Sequence, residues 1–137
     1  MPLDDTTKHY EQALAPQADP LPQRMRDAFD RYGWGTVFQR NIFTNRVCLI
    51  GAFNLAEGRD ARATAPDDVT FRALASACVR LRPDLRRKRG KLRTDHQVVY
   101  SFNDFAKSFD DIERALAEFQ TALARAEALA TSEAGGR

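Results

Sequence analysis

The chain has 137 residues, of which 43% are hydrophobic and 29% are charged, and its formal net charge is +2. These values are typical of one globular domain, and they exclude a chain that is disordered throughout. The longest apolar run, from Val47 to Phe53, is far shorter than the roughly 18 residues of a membrane span. The N-terminus also lacks the pattern of a secretion signal, so we expect a cytoplasmic protein without a membrane partner.

The first predicted element is a helix that follows a weakly structured N-terminal segment, residues 1–18. Asp19 and the prolines after it are a helix-start signal, because Asp can accept hydrogen bonds from free N–H groups and proline fits the first turn. Apolar residues then recur at helical spacing. The helix is predicted to end at Gly33.

Two strands are predicted next, at about 36–40 and 46–53, and a third strand is predicted at 97–102. The first two stretches are rich in Val, Ile, Phe and Thr, which favour strands. Their apolar residues also lie all round a helical wheel, unlike those of an amphipathic helix. The second strand is apolar on both faces, which is typical of a strand covered on both sides.

Two further helices are predicted, one before and one after the third strand along the chain. One opens at Pro66, where proline suits the first turn, and ends at Pro83. The other is a long helix from about Asp104 to Ala130, followed by a disordered tail, residues 131–137.

The order of these elements predicts a single α+β domain over residues 19–130. A small antiparallel sheet of about three strands would pack against helices, with the long C-terminal helix amphipathic. The alternative is an all-α domain in which residues 36–56 form a buried helix.

The densest charge cluster of the chain is segment 80–93, which holds eight basic residues and the single acid Asp84. Arginine presents a planar set of donors that matches phosphate, and neutralised phosphates release counterions. The alternative is a solvated loop whose arginines pair with the acidic C-terminal helix. The predicted nucleic-acid-binding residues are Arg80, Arg82, Arg86, Arg87, Lys88, Arg89, Lys91 and Arg93.

The clearest periodic signal is a heptad pattern in the long C-terminal helix, with apolar residues alternately three and four positions apart. Such a pattern keeps one apolar stripe facing a neighbour. The stripe either covers the protein's own core or contacts a protein partner or a second copy of the chain. The predicted partner interface, called the seam below, consists of Phe109, Ile112, Leu116, Phe119 and Leu123.

No recognised catalytic or metal-binding motif accompanies these features. His9 and His96 have no carboxylate or cysteine at a spacing that suggests a site. Cys48 and Cys78 lie in apolar runs and are predicted to be buried thiols. We therefore predict no catalytic residues, no metal and no cofactor.

The leading hypothesis is a non-enzymatic accessory or regulatory protein that binds nucleic acid or a nucleoprotein complex through segment 80–93. The choice between DNA and RNA stays open, since the segment contains no specific recognition motif. The alternative is a protein–protein interaction module, such as an inhibitor, an adaptor or an assembly subunit, that uses the seam and binds an acidic protein surface.

Overall fold

The computed structural model describes residues 19–135, with side chains as far as Leu129, so the predicted N-terminal segment 1–18 lies outside the described residues. A 3₁₀ turn at Pro83–Arg86 leads into the antiparallel strands β1 (Arg87–Lys88) and β2 (Lys91–Leu92). The helices are α1 (Leu21–Tyr32), α2 (Leu49–Ala56), α3 (Val69–Leu81), α4 (Asp95–Phe105) and α5 (Phe109–Gly135).

Helix α1 lies where the spacing of its apolar residues predicts it, but its first turn is capped differently. The backbone carbonyl of Pro20 accepts from the N–H groups of Gln23 and Arg24. Asp19 precedes this cap position and makes no side-chain cap, so its predicted capping role is wrong. The helix ends at Gly33, whose φ of +85° is readily adopted by glycine.

Helix α3 ends where the sequence predicts, but it starts three residues after the predicted opening at Pro66. It begins after Asp68, whose carboxylate accepts from the N–H of Phe71 at 2.9 Å, and it ends before Pro83. Phe71, Leu74 and Cys78 are fully buried. Helix α3 therefore turns one apolar face towards the core.

One hydrophobic core joins the five helices that residues 19–135 form. Helix α5 packs mainly on α3, and α2 packs on α1. Phe53 lies at the centre of the core, with its ring centroid 5.3 Å from that of Phe71 and 6.4 Å from that of Phe119. The helices thus form a fixed scaffold on which the loops are held.

The α+β class is confirmed, but the three strands were predicted in the wrong places. The sheet of the described residues is the hairpin formed by β1 and β2. Stretch 46–53 runs into α2, which is buried on nearly every face. An apolar run buried all round has no visible helical period, so its pattern resembles that of a central strand. The alternative of a buried helix at 36–56 was therefore correct for Leu49–Ala56.

The predicted strands at 97–102 and 36–40 are a helix and a loop, respectively, in the structure. Stretch 97–102 lies within α4, whose start is fixed by a capping box between Thr94 and Gln97. Stretch 36–40 is a loop with an isolated bridge between Arg40 and Val47. Both errors arise because strand propensity depends on tertiary context.

The predicted long C-terminal helix is divided in two by a break at residues 106–108. The backbone N–H of Lys107 donates to the Asp111 carboxylate at 2.9 Å, which fixes the start of α5. Helix α5 runs to Gly135, so it enters the stretch predicted to be a tail. Within the described residues, neither α5 nor any other helix combines the length and apolar character needed to cross a membrane.

Candidate anion-binding cleft

The predicted basic segment contains the hairpin of the fold, called the basic hairpin below and comprising residues 87–92. Arg89 and Gly90 form its turn with φ of +53° and +79°. Positive φ at both central residues is the requirement of the tight turn that suits the twist of a two-stranded hairpin. The turn therefore holds Lys88, Arg89 and Lys91 in exposed positions.

Two of the eight predicted basic residues are engaged in local ion pairs. The Arg82 guanidinium lies 2.8 Å from the Asp84 carboxylate, and that of Arg86 lies 2.9 Å from the Asp95 carboxylate. The hydrogen bond from Arg82 holds the pKa of Asp84 below its usual range. Both arginines therefore serve the local fold, and their predicted role in binding nucleic acid is not supported by their contacts.

The other six basic residues make no ion pair with any residue whose side chain is described. They do not pair with α5 as far as Leu129, the part of that helix whose side chains are described, although such pairing was the alternative interpretation of the segment. Arg87 and Arg93 donate only to backbone carbonyls, each at 3.3 Å. The six residues are Arg80, Arg87, Lys88, Arg89, Lys91 and Arg93.

A cleft of about 760 Å³ lies beside the basic hairpin. This volume falls within the range of small-molecule sites. One group of lining residues is cationic, namely Lys88, Arg89, Lys91 and Arg93. A second group comes from the 36–46 loop and α4, namely Gln39, His96, Gln97 and Tyr100. The cleft therefore joins part of the predicted basic segment to residues that the sequence analysis had not grouped with it.

His96 is held rigidly at the edge of this cleft. Its Nε2 lies 2.6 Å from the backbone carbonyl of Ala65, and a carbonyl can only accept, so this nitrogen carries the proton. The ring also stacks on Phe71 with a centroid distance of 4.4 Å. The fold thus fixes the tautomer and the ring orientation of His96.

Tyr100 contributes an accessible aromatic ring to the cleft, with 36% of its surface exposed. Partial burial raises the pKa of its hydroxyl, and the nearby Asp104 carboxylate raises that pKa further. The phenol therefore stays protonated at neutral pH. The sequence pattern predicts a strand at Tyr100 and gives no sign of a site there, because its neighbours in the cleft come from distant segments.

The seam lies mostly inside the protein's own core. Ile112, Leu116 and Phe119 have no exposed surface, so a partner could not contact them without opening the fold. Phe109 is half-buried against Phe29, at a centroid distance of 5.2 Å. Leu123 is also half-buried against the core. We therefore withdraw the three fully buried residues as interface residues.

The loop at residues 36–46 exposes four large apolar side chains, which the sequence pattern does not predict. Phe43 is 90% exposed, and Val37, Phe38 and Ile42 are each more than half exposed. The sequence predicts a strand and a turn here, and in a strand alternate side chains would be covered. The same loop supplies Gln39 to the cleft.

Both cysteines are buried free thiols, as predicted. Burial raises the pKa of the Cys78 thiol, and it does the same for the partly hydrogen-bonded Cys48. Neither thiol is therefore a nucleophile at neutral pH.

No curated protein and no solved structure matches the chain. One family model matches residues 5–129. This range includes helices α1 to α4, most of α5, the basic hairpin and every residue that lines the cleft. The chain therefore belongs to the family of unknown function DUF6197.

Proposed function

We propose that this protein is a non-enzymatic accessory or regulatory protein that binds nucleic acid, alone or in a nucleoprotein complex. The observation that carries the proposal is the position of Lys88, Arg89 and Lys91. They are exposed beside the cleft and make no ion pair within the part of the chain that the structure describes. Cations in that state are free to neutralise phosphates and to release their counterions.

The hairpin geometry adds to this support. Its tight turn holds the three cations close together without neutralising them. Arg93, which is half-buried, extends the positive surface into the cleft. We also propose that the protein acts in the cytoplasm, because its two free thiols suit a reducing compartment.

The proposal is tested by replacing Lys88, Arg89 and Lys91 with alanine and titrating labelled DNA and RNA across a salt series. We expect binding to weaken at least tenfold. The slope of log K against log salt should fall by about two to three, since each phosphate contact contributes about 0.9 for duplex DNA. Unfolding in urea should be unchanged, because the three side chains are exposed.

The matched control replaces Arg31, Arg114 and Arg125 with alanine. These arginines are also exposed, do not line the cleft, and give the same change in net charge. Equal losses in the two triple variants would show a general charge effect and would overturn the proposed site. Absence of binding by the unmodified protein at low salt would overturn the function.

A second candidate is a protein–protein interaction module, and the exposed apolar loop at 36–46 favours it. Exposed apolar groups that lie close together commonly mark interaction sites. The loop contains Arg40 and Arg46 and no acid. Charge complementarity therefore points to an acidic partner that carries apolar side chains.

This candidate is tested with a synthetic peptide that alternates glutamate and leucine, with an all-glutamate peptide of the same length as the control. We expect the mixed peptide to bind more tightly. Replacing Phe38 and Phe43 with serine should abolish that difference and leave the fold intact, since both rings are exposed. Equal binding of the two peptides would rule out an apolar contact by this loop.

A further inference from the structure

The side chain of Gln39 is held in one orientation at the cleft. Its Nε2 donates to the backbone carbonyls of Ala61 at 3.0 Å and Ala63 at 2.8 Å. Carbonyls only accept, so the identity of this nitrogen is fixed. The amide oxygen Oε1 has no hydrogen-bond partner among the described residues. Gln39 therefore offers the cleft a fixed acceptor.

The backbone of Gln39 is fixed as well. Its carbonyl oxygen accepts from the N–H of Cys48 at 3.2 Å. It also lies against Gly51, where a Cβ would stand only 2.1 Å from that oxygen. The close contact between this carbonyl oxygen and α2 therefore requires glycine at position 51, and it helps to hold Gln39 in place.

Gln97 has the opposite arrangement. Its Oε1 accepts from the backbone N–H of Thr94 at 2.9 Å, as part of the capping box of α4. A backbone N–H only donates, so the oxygen is assigned and Nε2 remains with no partner in the described part of the chain. Gln97 therefore offers the same cleft a fixed donor.

The cleft thus combines an oriented acceptor, an oriented donor, the accessible ring of Tyr100 and a cationic wall. An unpaired nucleotide matches all four features. Its base edge carries both donors and acceptors, its base face stacks on aromatic rings, and its phosphate binds cations. In a duplex, the pairing edge is occupied by the opposite base.

We propose that the cleft binds one unpaired nucleotide, with the base edge at Gln39 and Gln97, the base face near Tyr100 and the phosphate at the basic hairpin. This inference rests on the proposed nucleic-acid binding and makes it specific for single strands. All four bases carry both a donor and an acceptor on the pairing edge, so we expect only a modest base preference. The nucleotide is either free or part of a strand.

The main test variant is Gln97→Glu. Glutamate keeps the oxygen that accepts from Thr94, so the capping box is retained, while the free donor becomes a carboxylate oxygen. The matched control is Gln120→Glu on α5, which makes the same charge change at an exposed position outside the cleft. We expect Q97E to weaken binding of a single-stranded oligonucleotide at least tenfold and Q120E to weaken it less than twofold.

Two variants of Tyr100 test the stacking contact. Base–aromatic stacking contributes about 1–3 kcal/mol, so Tyr100→Ala should weaken single-strand binding by roughly 5- to 150-fold. Tyr100→Phe keeps the ring and should bind within about twofold of the unmodified protein, because a stacked base contacts the face of the ring. Equal losses in both variants would contradict stacking.

The probes are a single-stranded oligonucleotide, its duplex and the four nucleoside monophosphates, all measured at one salt concentration. Tighter binding of the single strand than of the duplex is expected. Monophosphate binding that Q97E abolishes would support a free nucleotide as the ligand, whereas binding of the oligonucleotide alone would support a strand.

The outcomes separate this inference from the proposed function. If the alanine variant of Lys88, Arg89 and Lys91 loses binding but duplex and single strand bind equally, the nucleotide cleft is wrong and the nucleic-acid function stands. If Q97E and Q120E have equal effects, the donor role of Gln97 is wrong. If no probe binds at low salt, both proposals fail.

Discussion

The basic hairpin and the C-terminal helix both stand out in the sequence, yet they have opposite positions in the fold. The hairpin exposes Lys88, Arg89 and Lys91 beside a cleft. The helix buries Ile112 and Phe119 in the core. The difference follows from the free energy of moving each group out of water. Burial of an apolar side chain is favourable whichever element covers it. Burial of an unpaired charge is unfavourable, so the charge stays exposed to solvent.

A heptad pattern shows that an apolar stripe is covered, but not what covers it. In this protein α3 covers most of the stripe, with Phe29 of α1 and Phe53 of α2 packed beside it, and the helix extends beyond that cover to its exposed Leu129. A cluster of charges gives the complementary information. It shows which surface stays in water, and only the structure shows which of the charges are already paired.

The largest predicted effect tests whether the seam belongs to the core, and it concerns Phe119. Replacing it with alanine should lower the free energy of unfolding by about 3–5 kcal/mol, because a fully buried ring leaves a cavity. Urea denaturation measures this change, and the alanine variant of Lys88, Arg89 and Lys91 serves as the exposed comparison. A loss below about 1 kcal/mol for Phe119→Ala would show that the seam is not core.

A smaller effect is expected at Asn103, which ties the 33–49 loop to α4. Its Oδ1 accepts from Trp34 Nε1 at 2.8 Å and from the N–H of Leu49 at 3.0 Å, and its Nδ2 donates to Gly35 at 3.0 Å. Asn103→Ala should cost about 2–3 kcal/mol, since buried groups lose their partners.

Asn103→Ala has a direct spectroscopic readout because Trp34 is the only tryptophan in the chain. Its fluorescence should change when the indole N–H loses the amide oxygen. Gln120→Ala, at an exposed position on α5, is the control and should change neither stability nor emission. Normal stability of Asn103→Ala with altered emission would mean that the loop finds other partners.

The smallest effect is expected at Asp84, which neutralises one arginine of the basic segment. Its pKa is lowered in the folded state, so its stabilising contribution is present above the ordinary carboxyl pKa and is lost as pH falls through the folded value. Asp84→Asn should therefore be slightly less stable than the unmodified protein at neutral pH.

That small difference should vanish in strongly acidic solution, where the carboxyl is protonated, and denaturation at neutral and acidic pH measures it. Asp84→Asn should also bind nucleic acid slightly more tightly, because Arg82 loses its local partner. Weaker binding in this variant would show that Asp84 positions the segment rather than competing with phosphate.

The elements that could be predicted from the sequence are those with one apolar face. α1, α3 and α5 have such a face, and each lies close to its predicted place, although α3 begins after Pro66 and α5 begins only at Phe109. α2 is apolar on all sides and was mistaken for a strand. α4 carries a recognisable signal that was overlooked, since Thr94 followed by Gln97 is a capping box.

The candidate site could be predicted only in part. Segment 80–93 was recognised from its charge, but the pairing of Arg82 and Arg86 depends on neighbours that only the fold specifies. Gln39 and Tyr100 lie about sixty residues apart in sequence and meet at the cleft because of tertiary packing. No local pattern links them.

The cleft has two boundaries of very different stiffness. The carbonyls of Ala61 and Ala63 accept from both Gln39 and Asn54, so this boundary moves only if several hydrogen bonds break together. The basic hairpin has strands of two residues and exposed side chains. Regions with few buried contacts open at low free-energy cost. If the cleft binds the proposed nucleotide, the basic hairpin is therefore the boundary that we expect to move, while the groups on Gln39 stay in place.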